Sequence, residues 1–197
     1  MLFYDFTDNS PYEKKWAFAT SIHPKSHVVK WLCPECGRAA QYPAGAFDVT
    51  VEGGSAFPDV LGCGAYPLLI VSERVISVIK GAGITCFHEY PVKVAAIQES
   101  RAKLEEAPPY FRIEISGECM IDFAGSGATI KSVCGRCGEV KTQPSMIRRF
   151  TIIEGSWDGY DLFRDRRYYP RVSFCTQRVV ELAKANGLMN CRFQQMS

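Results

Sequence analysis

The sequence CPECG at residues 33–37 recurs as CGRCG at residues 134–138, so that Cys33 and Cys36 have counterparts 101 positions later in the chain. Two cysteines separated by two residues can bind one metal ion, and the glycine after them lets the backbone turn so that its amides face the sulfur atoms. Two such CxxCG motifs supply four thiolate ligands, the set typical of a closed structural zinc site. The pattern therefore predicts one structural zinc ion with these ligands: Cys33, Cys36, Cys134 and Cys137.

Other roles for these cysteines stay open at the level of the sequence. A CxxC motif can be a redox dithiol, although that role gains nothing from a second copy with its own glycine, and both motifs could also lack a ligand altogether. His23 and His27 precede the first motif and could replace two of the cysteines. Their neighbours Pro24 and Ser26 favour a surface loop instead.

The similarity between the two parts of the chain continues beyond the CxxCG motifs. Matching segments follow in the same order at offsets of 102 to 104 residues: VEGGS at 51–55 with IEGS at 153–156, DVL at 59–61 with DLF at 161–163, YP at 66–67 with YP at 169–170, and SERVISVIKGAGI at 72–84 with TQRVVELAKANGL at 176–188. This order predicts two pseudo-repeated halves, residues 28–92 and 129–195, joined by a structured connector at residues 93–128.

Each half carries the pattern of a strand, a helix and a second strand. In the first half, Ser72 is placed to cap a helix in which Val75, Val78, Ile79 and Ala82 recur at helical spacing. Thr176 takes the place of the cap in the second half. Strands are predicted at residues 68–71, 85–90, 111–115 and 190–194, one or two more within residues 1–22, and a charged helix at residues 98–107.

These elements predict an α/β fold of the mixed α+β type. The two strand-helix-strand halves lie around a mixed sheet and are joined by the four-cysteine site, which resembles a zinc ribbon. The length of 197 residues and the 47% hydrophobic content are typical of one compact domain over residues 1–197.

Composition also limits the cellular setting and the partners. The formal net charge of +2 is too close to zero for a dedicated polyanion binder, so nucleic acid is an unlikely partner. The sequence contains no apolar run long enough to cross a membrane, and residues 1–10 lack the basic start of a signal peptide. Nine cysteines with two CxxC pairs favour metal binding in a reducing compartment, so we expect a cytoplasmic protein without a membrane partner.

Motifs for catalysis are missing from the sequence, which contains neither HExxH nor GxxxxGK[ST] and only three histidines. We expect no enzymatic activity and no small-molecule substrate. The remaining cysteines are expected to act as small buried hydrophobic residues, and a reactive nucleophile among them has no support: Cys63, Cys86, Cys119, Cys175 and Cys191.

Residues 154–169 are dense in tryptophan, tyrosine and arginine, the residue types enriched in protein interfaces. The same residues could bind RNA or DNA, although the interleaved acidic residues oppose phosphate, or could form a loop whose aromatic rings are internal. The candidate partner contacts are Trp157, Tyr160, Phe163, Arg164, Arg166, Arg167 and Tyr168.

The chain resembles the double-CXXCG motif paralogous family of social predatory bacteria. The resemblance extends over about residues 28–194 and rests on CPECG at 33–37, CGRCG at 134–138, DVLG at 59–62, SERV at 72–75 and WDGYDLF at 157–163. Proteins of this family resemble immunity proteins of polymorphic toxin systems. The resemblance implies a non-catalytic protein that binds and neutralises a cognate toxin, with the four cysteines of the CxxCG motifs as metal ligands. The alternative from the residues is a zinc-ribbon protein that binds nucleic acid or acts as a regulator.

Overall fold

The computed structural model describes residues 1–8, 14–23, 28–43, 45–63, 68–143, 147, 149–165, 167 and 172–196, with the backbone alone at residues 28–31 and 40–43. Its strands are β1 (Phe3–Asp8), β2 (Phe18–His23), β3 (Val28–Leu32), β4 (Ala39–Pro43), β5 (Phe47–Glu52), β6 (Val60–Leu61), β7 (Ile70–Ser72), β8 (Phe87–Gln98), β9 (Tyr110–Ile115), β10 (Gly117–Glu118), β11 (Thr129–Val133), β12 (Val140–Gln143), β13 (Leu162–Arg164), β14 (Ser173–Thr176) and β15 (Cys191–Gln195). The helices are α1 (Glu73–Gly81) and α2 (Gln177–Ala185).

The strands form two larger sheets and two hairpins. One sheet has the order β2-β5-β8-β9-β7-β6 and the other the order β10-β13-β14-β1-β15, while β3 pairs with β4 and β11 pairs with β12. Most neighbours are antiparallel, but β5 and β8 are parallel, as are β10 and β13. The predicted mixed α+β class is therefore confirmed.

Both helices lie where the sequence predicts them, but the predicted side-chain cap is confirmed for α1 and wrong for α2. The Ser72 hydroxyl accepts a hydrogen bond from the Val75 amide, and α1 buries Val75 and Ile79 together with Ile76. Thr176 also stands at the N-cap of α2, but its hydroxyl donates to the Asp161 carboxylate instead of capping the helix. Both helices have nine residues, and in the described part of the chain no helix has the length and apolar surface to cross a bilayer.

Two arginines join the helices to each other. Arg74 lies 2.8 Å from the Asp59 carboxylate and also donates to the Asn186 carbonyl, at the C-terminal end of α2. Arg178 lies 2.9 Å from the Asp161 carboxylate and donates to the Ala82 carbonyl, at the C-terminal end of α1. A cation stabilises a helix C-terminus, so each helix carries a charge that stabilises the end of the other.

In each sheet, a strand lies between the two strands that flank a helix in the chain, and in the five-stranded sheet that strand comes from the other end of the chain. The strand β9 lies between β7 and β8, and β1 lies between β14 and β15. A hydrophobic cluster between the sheets buries side chains of both helices, including Val75, Ile79, Val179 and Val180. Helix burial and strand pairing thus connect the beginning, middle and end of the chain.

The prediction of a charged helix at residues 98–107 is wrong. The strand β8 continues to Gln98, and only a 3-10 turn forms at Leu104–Glu106. The amide of Arg101 donates to the Gly54 carbonyl, and Ala102 is buried in the core of the six-stranded sheet. These tertiary contacts take the backbone groups and the apolar side chain that a helix would need.

Asp5 in β1 should make stability depend on pH. Burial raises the pKa of this carboxyl to about 6, partly offset by the attraction of Arg192. The unfolded chain loses this proton near pH 4, so the free energy of unfolding falls as the pH rises from about 4 to 6. We expect Asp5→Asn to remove this slope and to stabilise the protein by about 1–2 kcal/mol at pH 7, measured by urea unfolding at several pH values.

The matched control is Asp8→Asn at the end of the same strand, which should leave the slope between pH 4 and 6 in place. An Asp5→Asn variant with an unchanged slope would contradict the assignment to Asp5.

Candidate metal centre

Each CxxCG motif forms the tip of one hairpin, and the two tips have the same backbone structure. The amide of Cys33 donates to the Arg38 carbonyl at 2.8 Å, and that of Gly37 donates to the Cys33 carbonyl at 2.9 Å. In the second hairpin, the amides of Cys134 and Gly138 make the equivalent bonds to Glu139 and Cys134, both at 2.9 Å.

The glycine that ends each motif is required by its backbone conformation. Gly37 has a φ of +70° and Gly138 a φ of +69°, values in the left-handed region that favours glycine. A Cβ atom would meet no other atom within 4 Å at either position, so backbone strain and not lack of space selects glycine. This conformation turns the chain back after the second cysteine of each motif.

The four predicted cysteines come together between the two tips. Their sulfur atoms all lie within 4.8 Å of one another, with 3.8 Å between Cys33 and Cys134 and 3.6 Å between Cys36 and Cys137. Four sulfur atoms at about 2.3 Å from one zinc ion, at tetrahedral angles, stand about 3.8 Å apart. The cluster therefore has the dimensions of a site for a single tetrahedral metal ion.

The surroundings of the cluster shift the pKa values of its thiols in both directions. The amides of Cys36 and Glu35 lower the pKa of the Cys33 thiol to about 7, although burial opposes them. At Cys137 the Glu139 amide also favours the thiolate, but burial and the other thiols outweigh it and raise the pKa to about 12. Four thiolates crowd one another, and a bound dication would remove that repulsion.

An ion pair beside the sulfur atoms also joins the two motifs. Arg38 directly follows the first motif and Glu139 directly follows the second, and their charged groups lie 2.5 Å apart. Only 15% and 16% of these side chains are exposed, so water screens the pair less than it would screen one on the surface. The sequence alone did not lead to a prediction of this pair. Arg38 and Glu139 nevertheless carry opposite charges and each directly follows the glycine of its motif.

His23, one of the two histidines considered as replacement ligands, is not part of the cluster. The His23 ring lies 3.0 Å from the Thr50 hydroxyl on β5 and 3.2 Å from the Ser21 hydroxyl on β2. His27 lies outside the described residues.

The cysteines outside the cluster are mostly in apolar surroundings. Cys86, Cys119 and Cys175 are buried, while Cys63 and Cys191 are half-buried. Burial raises the pKa of Cys119 and of Cys191 to about 12. Thiols of this kind are protonated at neutral pH and weakly nucleophilic.

The structure divides the candidate partner segment into core and surface residues. Phe163 is completely buried, and Trp157 packs edge-on against Phe3 at 5.2 Å, so the prediction of Phe163 as a partner contact is wrong. Tyr160 remains 53% exposed. Arg164 is half-buried, Arg167 lies 2.6 Å from the buried carboxylate of Asp165, and Arg166 and Tyr168 lie outside the described residues.

Metal analysis tests the centre directly. We expect about one divalent ion per chain in purified protein, and a Cys134→Ser variant that loses it, with a Tm lower by at least about 5 °C. Elemental analysis by mass spectrometry and thermal unfolding measure these two effects. Cys63→Ser, outside the cluster, should keep the metal, and metal-free wild-type protein with an unchanged Tm would refute the centre.

The sulfur distances also predict the pattern of oxidation. Diamide added to the protein takes up two electrons and two protons for each disulfide formed. The sulfur atoms of Cys33 and Cys134 lie 3.8 Å apart and those of Cys36 and Cys137 lie 3.6 Å apart, so we expect these two bridges across the motifs. Mass spectrometry of a non-reduced digest identifies these bridges, and predominant bridges within each CxxC motif would contradict the geometry.

A scan of protein-family models found no match to this chain, and a search of curated proteins found no relative.

Proposed function

We propose that this chain is a cytoplasmic, non-catalytic immunity protein that binds and neutralises a cognate toxin protein, with one structural zinc ion joining its two halves. The observation that carries the proposal is the convergence of four cysteines, from motifs 101 residues apart, into one cluster. The identity of the partner rests on the resemblance of the motifs to those of immunity proteins.

Zinc is the metal that best fits the ligand set. Thiolates are soft ligands, and a tetrahedral site of four cysteines is typical of structural zinc. Such a site leaves no coordination position for water or substrate, so its role is to hold the two hairpins together.

The proposed halves, residues 28–92 and 129–195, are supported by contacts that occur twice. Asp59 binds the Ser72 hydroxyl and Arg74, and Asp161 binds the Thr176 hydroxyl and Arg178. Each of these two arginines then reaches the C-terminal end of the other helix. Reciprocal contacts of this kind are expected around a pseudo-two-fold axis, and we place the zinc ion near that axis.

A binding role is supported by the chemistry of the described residues. The ring of His23 contacts the hydroxyl groups of Ser21 and Thr50. Among the described residues, it has no hydrogen bond to a thiol or a carboxylate. Burial raises the pKa of Cys119 and Cys191, two of the cysteines outside the cluster. These features do not provide an activated nucleophile.

A growth-rescue assay tests the proposed function. The product of the gene next to this one is expressed in a sensitive host, with and without this protein, and growth is scored. We expect growth arrest that is relieved only by co-expression, because neutralisation requires the two proteins to bind. The Cys63→Ser variant, which changes a cysteine outside the cluster, should rescue growth like the wild type.

Two results would contradict neutralisation: a neighbouring product that is harmless, and one that kills in the presence of this protein. Either result would make the binding of nucleic acid the next reaction to measure.

A further inference from the structure

The residue that follows each CxxCG motif is bonded through its backbone to the cysteines of that motif. The Arg38 carbonyl accepts a hydrogen bond from the amide of the first cysteine at 2.8 Å, and the Glu139 carbonyl accepts the equivalent bond at 2.9 Å. The Arg38 amide acts to lower the pKa of the Cys36 thiol, and the Glu139 amide acts in the same way on Cys137, although burial and neighbouring thiols outweigh both amides. Arg38 and Glu139 are therefore fixed relative to the ligands of their own motif.

The side chains of these two residues meet between the hairpin tips. The Arg38 Nη1 atom lies 2.5 Å from the Glu139 Oε2 atom, and only 15% and 16% of the two side chains are exposed. In the described part of the chain, β3 pairs only with β4 and β11 only with β12, so strand pairing does not fix one tip relative to the other. The ion pair thus connects two residues whose backbones already hold the ligands of the two motifs.

The thiols by themselves connect the tips weakly when no ion is bound. The S–H group is a weak hydrogen-bond donor and sulfur is a weak acceptor. The sulfur atoms of Cys33 and Cys134 lie 3.8 Å apart, and those of Cys36 and Cys137 lie 3.6 Å apart. A hydrogen bond between charged groups is about twice as strong as one between neutral groups. The ion pair is therefore a stronger contact than these sulfur contacts in the metal-free protein.

The ion pair adds little net charge to the metal centre. The Glu139 carboxylate repels the four thiolates and the Arg38 guanidinium attracts them, and these two effects nearly cancel because the two groups are in contact. If charge were the contribution of Arg38 to the centre, its contact with Glu139 would oppose that contribution. The pair therefore contributes position, which the ligand sulfur atoms need, and very little charge.

We propose that Arg38 and Glu139 are positioning residues of the metal centre, and that their ion pair holds the two pairs of cysteines at ligand distance before an ion binds. The inference rests on the structural metal ion of the proposed function and is independent of the identity of the protein partner. A site assembled in advance loses less conformational entropy when it takes up an ion. The ion pair therefore raises the affinity for zinc and slows its release.

A charge-reversal cycle tests the positioning role. The zinc affinity of the full-length protein, first freed of metal, is measured by competition with a chromogenic chelator. We expect Arg38→Glu and Glu139→Arg each to weaken zinc binding about tenfold, because each substitution places two like charges together between the tips. The double variant with both substitutions restores an ion pair and should bind zinc within about threefold of the wild type.

An effect of charge alone predicts a different result. If the two side chains acted only through their charge on the ion, Arg38→Glu would strengthen the binding of a dication and Glu139→Arg would weaken it. Shifts of opposite sign, or affinities within about twofold of the wild type, would overturn the positioning role. The neutral variants Arg38→Gln and Glu139→Gln repeat the comparison without like-charge repulsion, and both should weaken zinc binding.

The matched control is an ion pair outside the hairpins. Lys80 at the end of α1 lies 2.8 Å from the carboxylate of Glu89 on β8. Lys80→Glu and Glu89→Lys should each leave the zinc affinity within about twofold of the wild type. Every variant, once saturated with cobalt(II), should keep the thiolate-to-metal absorption of the wild type, because its four thiol ligands are unchanged. Circular dichroism shows whether each variant is folded.

The outcomes separate the positioning role from the proposed function. A double variant that binds zinc no better than the single variants would overturn the positioning role alone. A wild-type protein that binds no zinc would overturn the metal centre and the positioning role together, and the growth-rescue assay would still decide whether this protein neutralises a toxin.

Discussion

Four thiols from motifs 101 residues apart meet in one cluster, and the local structure around them follows from this constraint. Closing a loop of that length costs about 4 kcal/mol beyond a constant, whereas structural zinc in small peptides contributes about 10–16 kcal/mol. A zinc ion would therefore be sufficient to hold the hairpin tips together. The left-handed Gly37 and Gly138 and the ion pair of Arg38 with Glu139 then complete a junction in which both motifs have the same structure.

The helices form a second link between distant parts of the chain, and its physical basis differs from that of the metal centre. Arg74 and Arg178 each connect a buried or half-buried aspartate to the end of the opposite helix. The strand β1, near the beginning of the chain, lies between β14 and β15, near its end. Burial and strand pairing hold this region, so a metal ion bound by the cysteines would control mainly the arrangement of the two hairpins.

Two contacts join the hairpins at their tips, the cysteine cluster and the ion pair of Arg38 with Glu139. A preorganised surface loses less conformational entropy on binding than a flexible one. An ion bound by the four cysteines would fix the two hairpin tips relative to each other, as the proposed binding role requires.

The sequence by itself determined the two pairs of cysteine ligands, both helices and the mixed α+β class, because CxxCG spacing and helical periodicity are properties of neighbouring residues. Tertiary structure decided the rest. Residues 98–107 follow contacts with Gly54 and the core instead of their own helical pattern, and Phe163 is buried although its segment resembles an interface. Burial and register arise between residues far apart in the chain, and a local pattern does not contain them.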